Sequence, residues 1–145
     1  MTDEYYMRQA LAEARKAMEH DEVPVGAVIV ANGRIIARAH NLTETLHDAT
    51  AHAEMQAYTS AANSLDSKYL EECTLYVTLE PCIMCAGAAF WTQLGRIVYG
   101  AADPKRGYTL LKNNILHPKT EVLSNFMGEE SAALLLEFFK GKRDI

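Results

Sequence analysis

The chain has 145 residues, 49% of them apolar and 23% charged, with a formal net charge of −5. That balance suits one globular domain over residues 1–145, large enough to bury a core without staples, and no second domain is expected. There is no charged-then-apolar leader and no apolar run of membrane-spanning length, so neither export nor membrane insertion is expected.

Asp3 is placed to cap a first helix running to about His20, in which Tyr6, Ala10, Leu11, Ala14, Ala17 and Met18 recur along one core-facing side. Val25 to Ala31 is a continuous apolar run, Asn32-Gly33 is a two-residue hairpin signal, and Arg34 to Ala39 returns as the partner strand. Gly26, inside the first strand, marks a close backbone approach by a helix or by a substrate. Asn41 to Thr50 is polar without helical or strand period, which predicts a surface loop.

A second helix is predicted from His52 to about Asn63, with Met55, Tyr58 and Ala62 packing inward. The β-branched and apolar run Thr74 to Leu79 then reads as a strand delivering Glu80 and Pro81 to the site that Cys82 and Cys85 form. Cys73, at the far end of that strand, reads as a small buried hydrophobe. A third helix spans Cys82 to Gln93, and Arg96 to Gly100 follows as a short buried strand. Its small residues Ala86 to Ala89 admit a close neighbour, a symmetric partner being one candidate, and Phe90 and Trp91 are contact material for core or interface. Asp103 to Pro118 is a long loop of the kind that carries function. Thr120 to Leu123 is a last short strand, and Glu129 to Lys140 a closing helix with Ala133, Leu136 and Phe139 on one side. Phe138 beside them suits core packing or stacking on a base. Strands alternating with helices define an α/β layered domain: a central mixed sheet of about five strands with helices on both sides.

The chemistry lies in Ala51-His52-Ala53-Glu54 and Pro81-Cys82-Ile83-Met84-Cys85. One imidazole and two thiols make a three-ligand zinc set with its fourth position open, and an open position is the mark of a catalytic site. Cys82 and Cys85 are three apart and share a helix face, where the helix N-terminus favours their thiolates. His52 and Glu54 are two apart, so both reach one point only from the opening turn of a helix, where side chains lean back toward the N-terminus. Glu54 is then the base that takes a proton from water and returns it to the substrate. Three cysteines, two of them in C-x-x-C, point to a metal and a reducing, cytoplasmic compartment instead of disulfides.

H-x-E followed by P-C-x-x-C is the signature of the zinc-dependent nucleoside and nucleobase deaminases. More narrowly, the chain resembles the bacterial tRNA adenosine deaminases of the cytidine/deoxycytidylate deaminase superfamily. The resemblance runs almost end to end, through Glu22 to Ala27, Asn41, Ala51 to Glu54, Thr78 to Cys82, Met84 to Ala88, and Arg96 to Ala101 with Asp103-Pro104-Lys105. One motif departs: Asp48-Ala49-Thr50 stands where the family usually has Asp-Pro-Thr, which loosens that loop.

The resemblance implies a three-layer α/β/α cytidine-deaminase-like fold and one zinc ion per subunit held by His52, Cys82 and Cys85. It implies hydrolytic deamination of the wobble adenosine to inosine in the tRNA anticodon loop, with zinc-activated water as nucleophile and Glu54 as proton shuttle. It assigns Asn41 to the target base, Asp103 to the ribose and Lys105 and Arg106 to phosphates, in a homodimer. A free-base or nucleoside deaminase acting on guanine, cytosine or cytidine is the alternative, and a non-catalytic zinc-binding module the third reading. The acidic net charge weighs against an RNA partner, since phosphate contacts come from basic faces. Lys105, Arg106, Lys112 and Lys119 nevertheless crowd one segment, and Lys140, Lys142 and Arg143 lie close together near the C-terminus.

Overall fold

The computed structural model describes residues 1–143, with the side chain of Arg143 outside that description. In chain order the elements are α1 (Asp3–Glu19), β1 (Gly26–Ala31), β2 (Arg34–His40), α2 (Ala53–Leu65), β3 (Cys73–Leu79), α3 (Ile83–Thr92), β4 (Arg96–Ala101), β5 (Glu121–Leu123) and α4 (Gly128–Arg143). A short 3₁₀ turn at Tyr108–Leu110 interrupts the long loop before β5.

The five strands lie in the order β2-β1-β3-β4-β5. β1 is antiparallel to both β2 and β3, whereas β3, β4 and β5 run parallel, so the sheet is mixed. Every residue of β1 is buried. A strand covered on both faces needs a continuous apolar run in place of alternation, which is what Val25 to Ala31 supplies. Ala27, Ile29 and Ala31 meet Ala53, Ala57 and Tyr58 of α2 and Ala86 and Ala89 of α3. Val28 and Val30 point the other way, to Tyr6, Met7, Ala10 and Leu11 of α1 and Leu134 of α4. The result is the three-layer α/β/α arrangement, with α2 and α3 on one face and α1 and α4 on the other.

The hairpin turn has positive φ at Asn32 (51°) and Gly33 (73°), the geometry that matches the twist of the flanking strands. Gly26 is explained by a helix. A Cβ there would run into the Ala10 carbonyl and the Ala14 amide of α1, which lies directly on β1.

Two expectations are corrected. Thr2, not Asp3, caps α1, its Oγ1 accepting from the Tyr5 amide at 3.2 Å. The Asp3 carboxylate instead accepts two bonds from the Arg96 guanidinium, both 2.9 Å, and one from the Tyr76 hydroxyl at 2.5 Å, fastening α1 to the sheet. In α4 the predicted side faces outward, for Leu136 is 67% and Phe139 42% exposed while Ser131 and Leu134 are buried. The runs Leu134-Leu135-Leu136 and Phe138-Phe139 put apolar residues around the helix, so periodicity could not choose the inner face. Trp91, 77% exposed, is surface and not core, whereas Cys73 is buried at the start of β3 as expected.

Candidate active site

Helices α2 and α3 begin in the same way. His52 (φ −73°, ψ 153°) and Cys82 (φ −74°, ψ 174°) are their extended N-cap residues, and neither side chain caps its own helix. An N-cap side chain ordinarily turns back to accept from the free amides of the first turn. These two turn instead toward the space between the helix starts, where Cys85 joins them one turn on. His52 Nδ1 lies 3.6 Å from Cys82 Sγ and 3.6 Å from Cys85 Sγ. Tetrahedral zinc, with bonds of about 2.3 Å to sulfur and about 2.0–2.1 Å to nitrogen, spaces such donors about 3.6 Å apart. His52, Cys82 and Cys85 are the group among the described residues whose donor atoms cluster tightly enough for a metal, and they could hold zinc.

Because the His52 imidazole is turned away, a neighbour takes over the cap. Asn41 Oδ1 accepts from the Ala53 amide at 2.9 Å. Gln56 Nε2 donates to the His40 carbonyl at 2.8 Å and the Ala51 carbonyl at 3.1 Å, fixing the chain that enters α2. Tyr58 donates its hydroxyl to the Cys85 carbonyl at 3.1 Å and ties α2 to α3 behind the donors. Sequence reading gave Tyr58 only a packing role and missed Gln56. The available signal was helical spacing, since Gln56 stands four residues after His52 and Tyr58 four after Glu54.

The donors share protons. Cys82 is pushed down to about 4, first by the hydrogen bond from Cys85 and, against the cost of burial, by the bond from His52. Cys85, as donor in that bond, is raised. His52 is raised in turn by its hydrogen bond to Cys82. Burial pushes Glu54, 4% exposed, up to about 7. A carboxyl poised near neutrality can both take and give a proton at physiological pH, which suits a shuttle. A bound dication would draw that value down and would displace the remaining thiol proton.

A cleft of about 520 Å³ opens above these groups, with His52, Glu54 and Cys82 in its floor. Cys85 lies fully buried beneath. Asn41 and Thr43 from the loop after β2, and Asp103, Lys105 and Arg106 from the loop after β4, line it as well. Every sequence-predicted substrate residue therefore reaches the same opening. Asp103 Oδ1 is itself occupied, accepting from the amides of Lys105 and Arg106 at 3.0 Å each, so it also builds its own turn. Glu80, delivered beside the donors by β3 as expected, lines the cleft without being one of them. Its oxygens are taken by the Asp103 amide (3.1 Å), the Thr109 amide (3.0 Å) and the Thr109 hydroxyl (2.7 Å). Phe139 and Leu135 of α4 also line the cleft, whereas Phe138 lies in a separate hollow with Lys142 over its ring. The sequence left Phe138 between core packing and base stacking and gave Phe139 a packing role, whereas Phe139 is the one that reaches the cleft. The Asp48-Ala49-Thr50 loop is held without its proline, since Asp48 Oδ1 accepts from the amide (2.8 Å) and hydroxyl (2.7 Å) of Thr50. Lys105, Arg106, Lys112, Lys119 and Lys140 are exposed, while Lys142 is ion-paired with Asp21.

An α/β/α sandwich that aims a histidine and two cysteines from facing helix starts at one point, with a buried carboxyl beside them, is the architecture of a zinc-dependent deaminase. The family model for the cytidine and deoxycytidylate deaminase zinc-binding region matches residues 1–101. The tRNA-specific adenosine deaminase of Bacillus subtilis is 48% identical over 97% of this chain and 91% of its own length. A solved structure from work on A-to-I editing by tRNA:A34 deaminases at the wobble position of transfer RNA superposes with a TM-score of 0.85. It is 44% identical, covering 91% of this chain and 99% of that one. The guanine deaminase of Bacillus subtilis is more distant, 27% identical over 100% of this chain and 96% of its own, with a TM-score of 0.69. The chain belongs to the cytidine and deoxycytidylate deaminase family, in the branch that the tRNA-specific adenosine deaminases represent.

Proposed function

We propose that this protein deaminates the wobble adenosine of a tRNA anticodon loop to inosine, with His52, Cys82 and Cys85 as zinc ligands and Glu54 as the catalytic acid and base. The observation that carries the reading is a complete donor set and buried carboxyl in a chain 44% identical over 99% of a wobble A-to-I editing relative. Guanine deaminase chemistry would use the same centre, but that relative stands at 27% identity. The cationic wall of Lys105 and Arg106 suits a phosphate-bearing substrate better than a free base.

Zinc bound in this donor set supplies the Lewis acidity that makes water a nucleophile at neutral pH. Glu54 takes one proton from the water as it attacks C6 of adenine and passes it to N1, then takes the proton of the new C6 hydroxyl and passes it to the amino group, which leaves as ammonia. Asn41 offers its free amide N–H groups to the purine edge while its oxygen caps α2. An anticodon-loop base is already partly unstacked, so a cleft this size receives it without opening a duplex.

Residues 1–145 act as one deaminase domain in this reading, and the sheet shared by both core clusters supports it. None of the three cysteines is in a disulfide, which suits a cytoplasmic protein, and no helix among the described residues is long and apolar enough to cross a membrane. The homodimer would form through the exposed face of α3. The test is inosine formation by wild-type and Glu54→Ala protein with zinc measured in both. Zinc retained with the rate down by roughly 10²–10⁴-fold is expected. Loss of zinc from Glu54→Ala would make Glu54 a ligand and undo the assignment.

A further inference from the structure

We propose that Glu22 and Glu80, outside the catalytic set, are paired positioning residues that hold the two walls of the cleft ready for substrate. The proposal rests on the deaminase reading above and adds to it the groups that set how tightly the RNA is held.

Both carboxylates are buried, Glu22 fully and Glu80 at 3% exposure. Each precedes a strand-end proline, Glu22 by two residues and Glu80 directly, and each faces a loop far along the chain. Glu22 Oε2 accepts from both the amide (2.7 Å) and the hydroxyl (2.6 Å) of Thr45, and Oε1 accepts from the Glu44 amide (3.1 Å) and the Thr43 hydroxyl (3.4 Å). Glu80 Oε2 repeats the device on Thr109, taking its amide at 3.0 Å and its hydroxyl at 2.7 Å, while Oε1 takes the Asp103 amide at 3.1 Å. A Cβ on Gly107 would collide with the Glu80 carboxylate, so a glycine lets that loop close directly over it.

The two loops are the two walls. Thr43 lines the cleft beside Asn41 from one loop, and Asp103 to Arg106 line it from the other. Burying a carboxylate is costly unless donors surround it, and these are met by four and three donors respectively. Polar surface loops left to themselves would be ordered only when substrate arrives, at the expense of affinity. Charged anchors under both walls remove that cost beforehand, so their loss falls on KM more than on kcat.

The experiment measures kcat, KM, zinc content and Tm for wild type, Thr45→Val, Thr109→Val, the double variant and the matching Thr→Ser variants, on an anticodon stem-loop. Valine removes only the hydroxyl donor and keeps the side-chain shape, so the fold should tolerate it. Each Thr→Val should raise KM about fivefold, with a smaller change in kcat. The double variant should multiply the two effects, since the walls are separate, and serine should restore KM. Zinc stays bound throughout. Unshifted KM in the valine variants overturns the proposal, as does a joint loss of zinc, Tm and kcat that serine fails to restore. Wild-type protein that leaves the stem-loop untouched overturns the deaminase reading and this assignment together, whereas wild-type turnover with unshifted KM overturns this assignment alone.

Discussion

In the proposed mechanism Asn41 has two duties on one amide, and they can be separated. Its oxygen caps α2 at the Ala53 amide, leaving the N–H groups for the substrate edge. Asn41→Asp keeps the acceptor, so its unfolding free energy should hold within about 0.5 kcal/mol of wild type while KM rises. Asn41→Ala loses both duties and should cost about 1 kcal/mol of stability as well, measured by denaturant unfolding. A stability loss in Asn41→Asp equal to that in Asn41→Ala would contradict the division. Cys85→Ala tests the metal. It removes a buried donor, so zinc content should fall below one per chain and Tm with it, because ligand binding to the folded state is folding free energy. At this scale the sequence was most informative where chemistry demands residue types. His52, Glu54, Cys82 and Cys85 are legible because few other side chains bind zinc or move protons. Tyr58 and Glu22 were not, since their partners lie 27 and 23 residues away and only the fold brings them together.

Helix α1 is held to the sheet by a charge pair whose strength depends on pH. The Arg96 guanidinium, with help from the Tyr76 hydroxyl, holds Asp3 below its ordinary value of 3.8 against the cost of partial burial. A carboxyl depressed in the folded state contributes stability that is present above its unfolded value and lost as pH falls through the folded one. Asp3→Asn should therefore be less stable than wild type at pH 7, by about 1–2 kcal/mol, with the gap closing below about pH 3.8. A gap that persists at pH 2 would mean that the pair is not its source. Elements with one buried face or two were readable from their apolar pattern, as β1 and its hairpin demonstrate. The end of α3 at Gln93 was read as it stands, but α2 runs past the expected Asn63 to Leu65, because it stops at Asp66 (φ 52°) and not at the glycine that usually marks a left-handed cap. In α4 the adjacent leucines and phenylalanines hid which side is inward.

Over the whole molecule, charge and exposed apolar surface are unevenly placed. Ile83 (56%), Phe90 (39%) and Trp91 (77%) are exposed on α3, and Gly87 between them meets nothing within 4 Å. Spaced at helical intervals, they form an exposed apolar strip, the face to which the proposed homodimer is assigned. Trp91→Lys should convert a dimer to a monomer of 16.1 kDa by light scattering, and wild-type protein that is already monomeric at micromolar concentration would remove this assignment. Zinc and the α/β/α class could be read from motif and alternation alone. The substrate could not, because a net charge of −5 and a local cluster of lysines argue in opposite directions until the loop is seen against the cleft.

The substrate is also where a single measurement decides most. Zinc-loaded protein is given an anticodon stem-loop bearing wobble adenosine, and in parallel free adenosine, guanine, cytosine and cytidine, with ammonia and inosine followed. Inosine formed in the stem-loop alone is the expected result. Turnover of a free base or nucleoside with the stem-loop untouched would contradict it, keeping the zinc centre and Glu54 but making Asn41 and Asp103 parts of a small-molecule pocket.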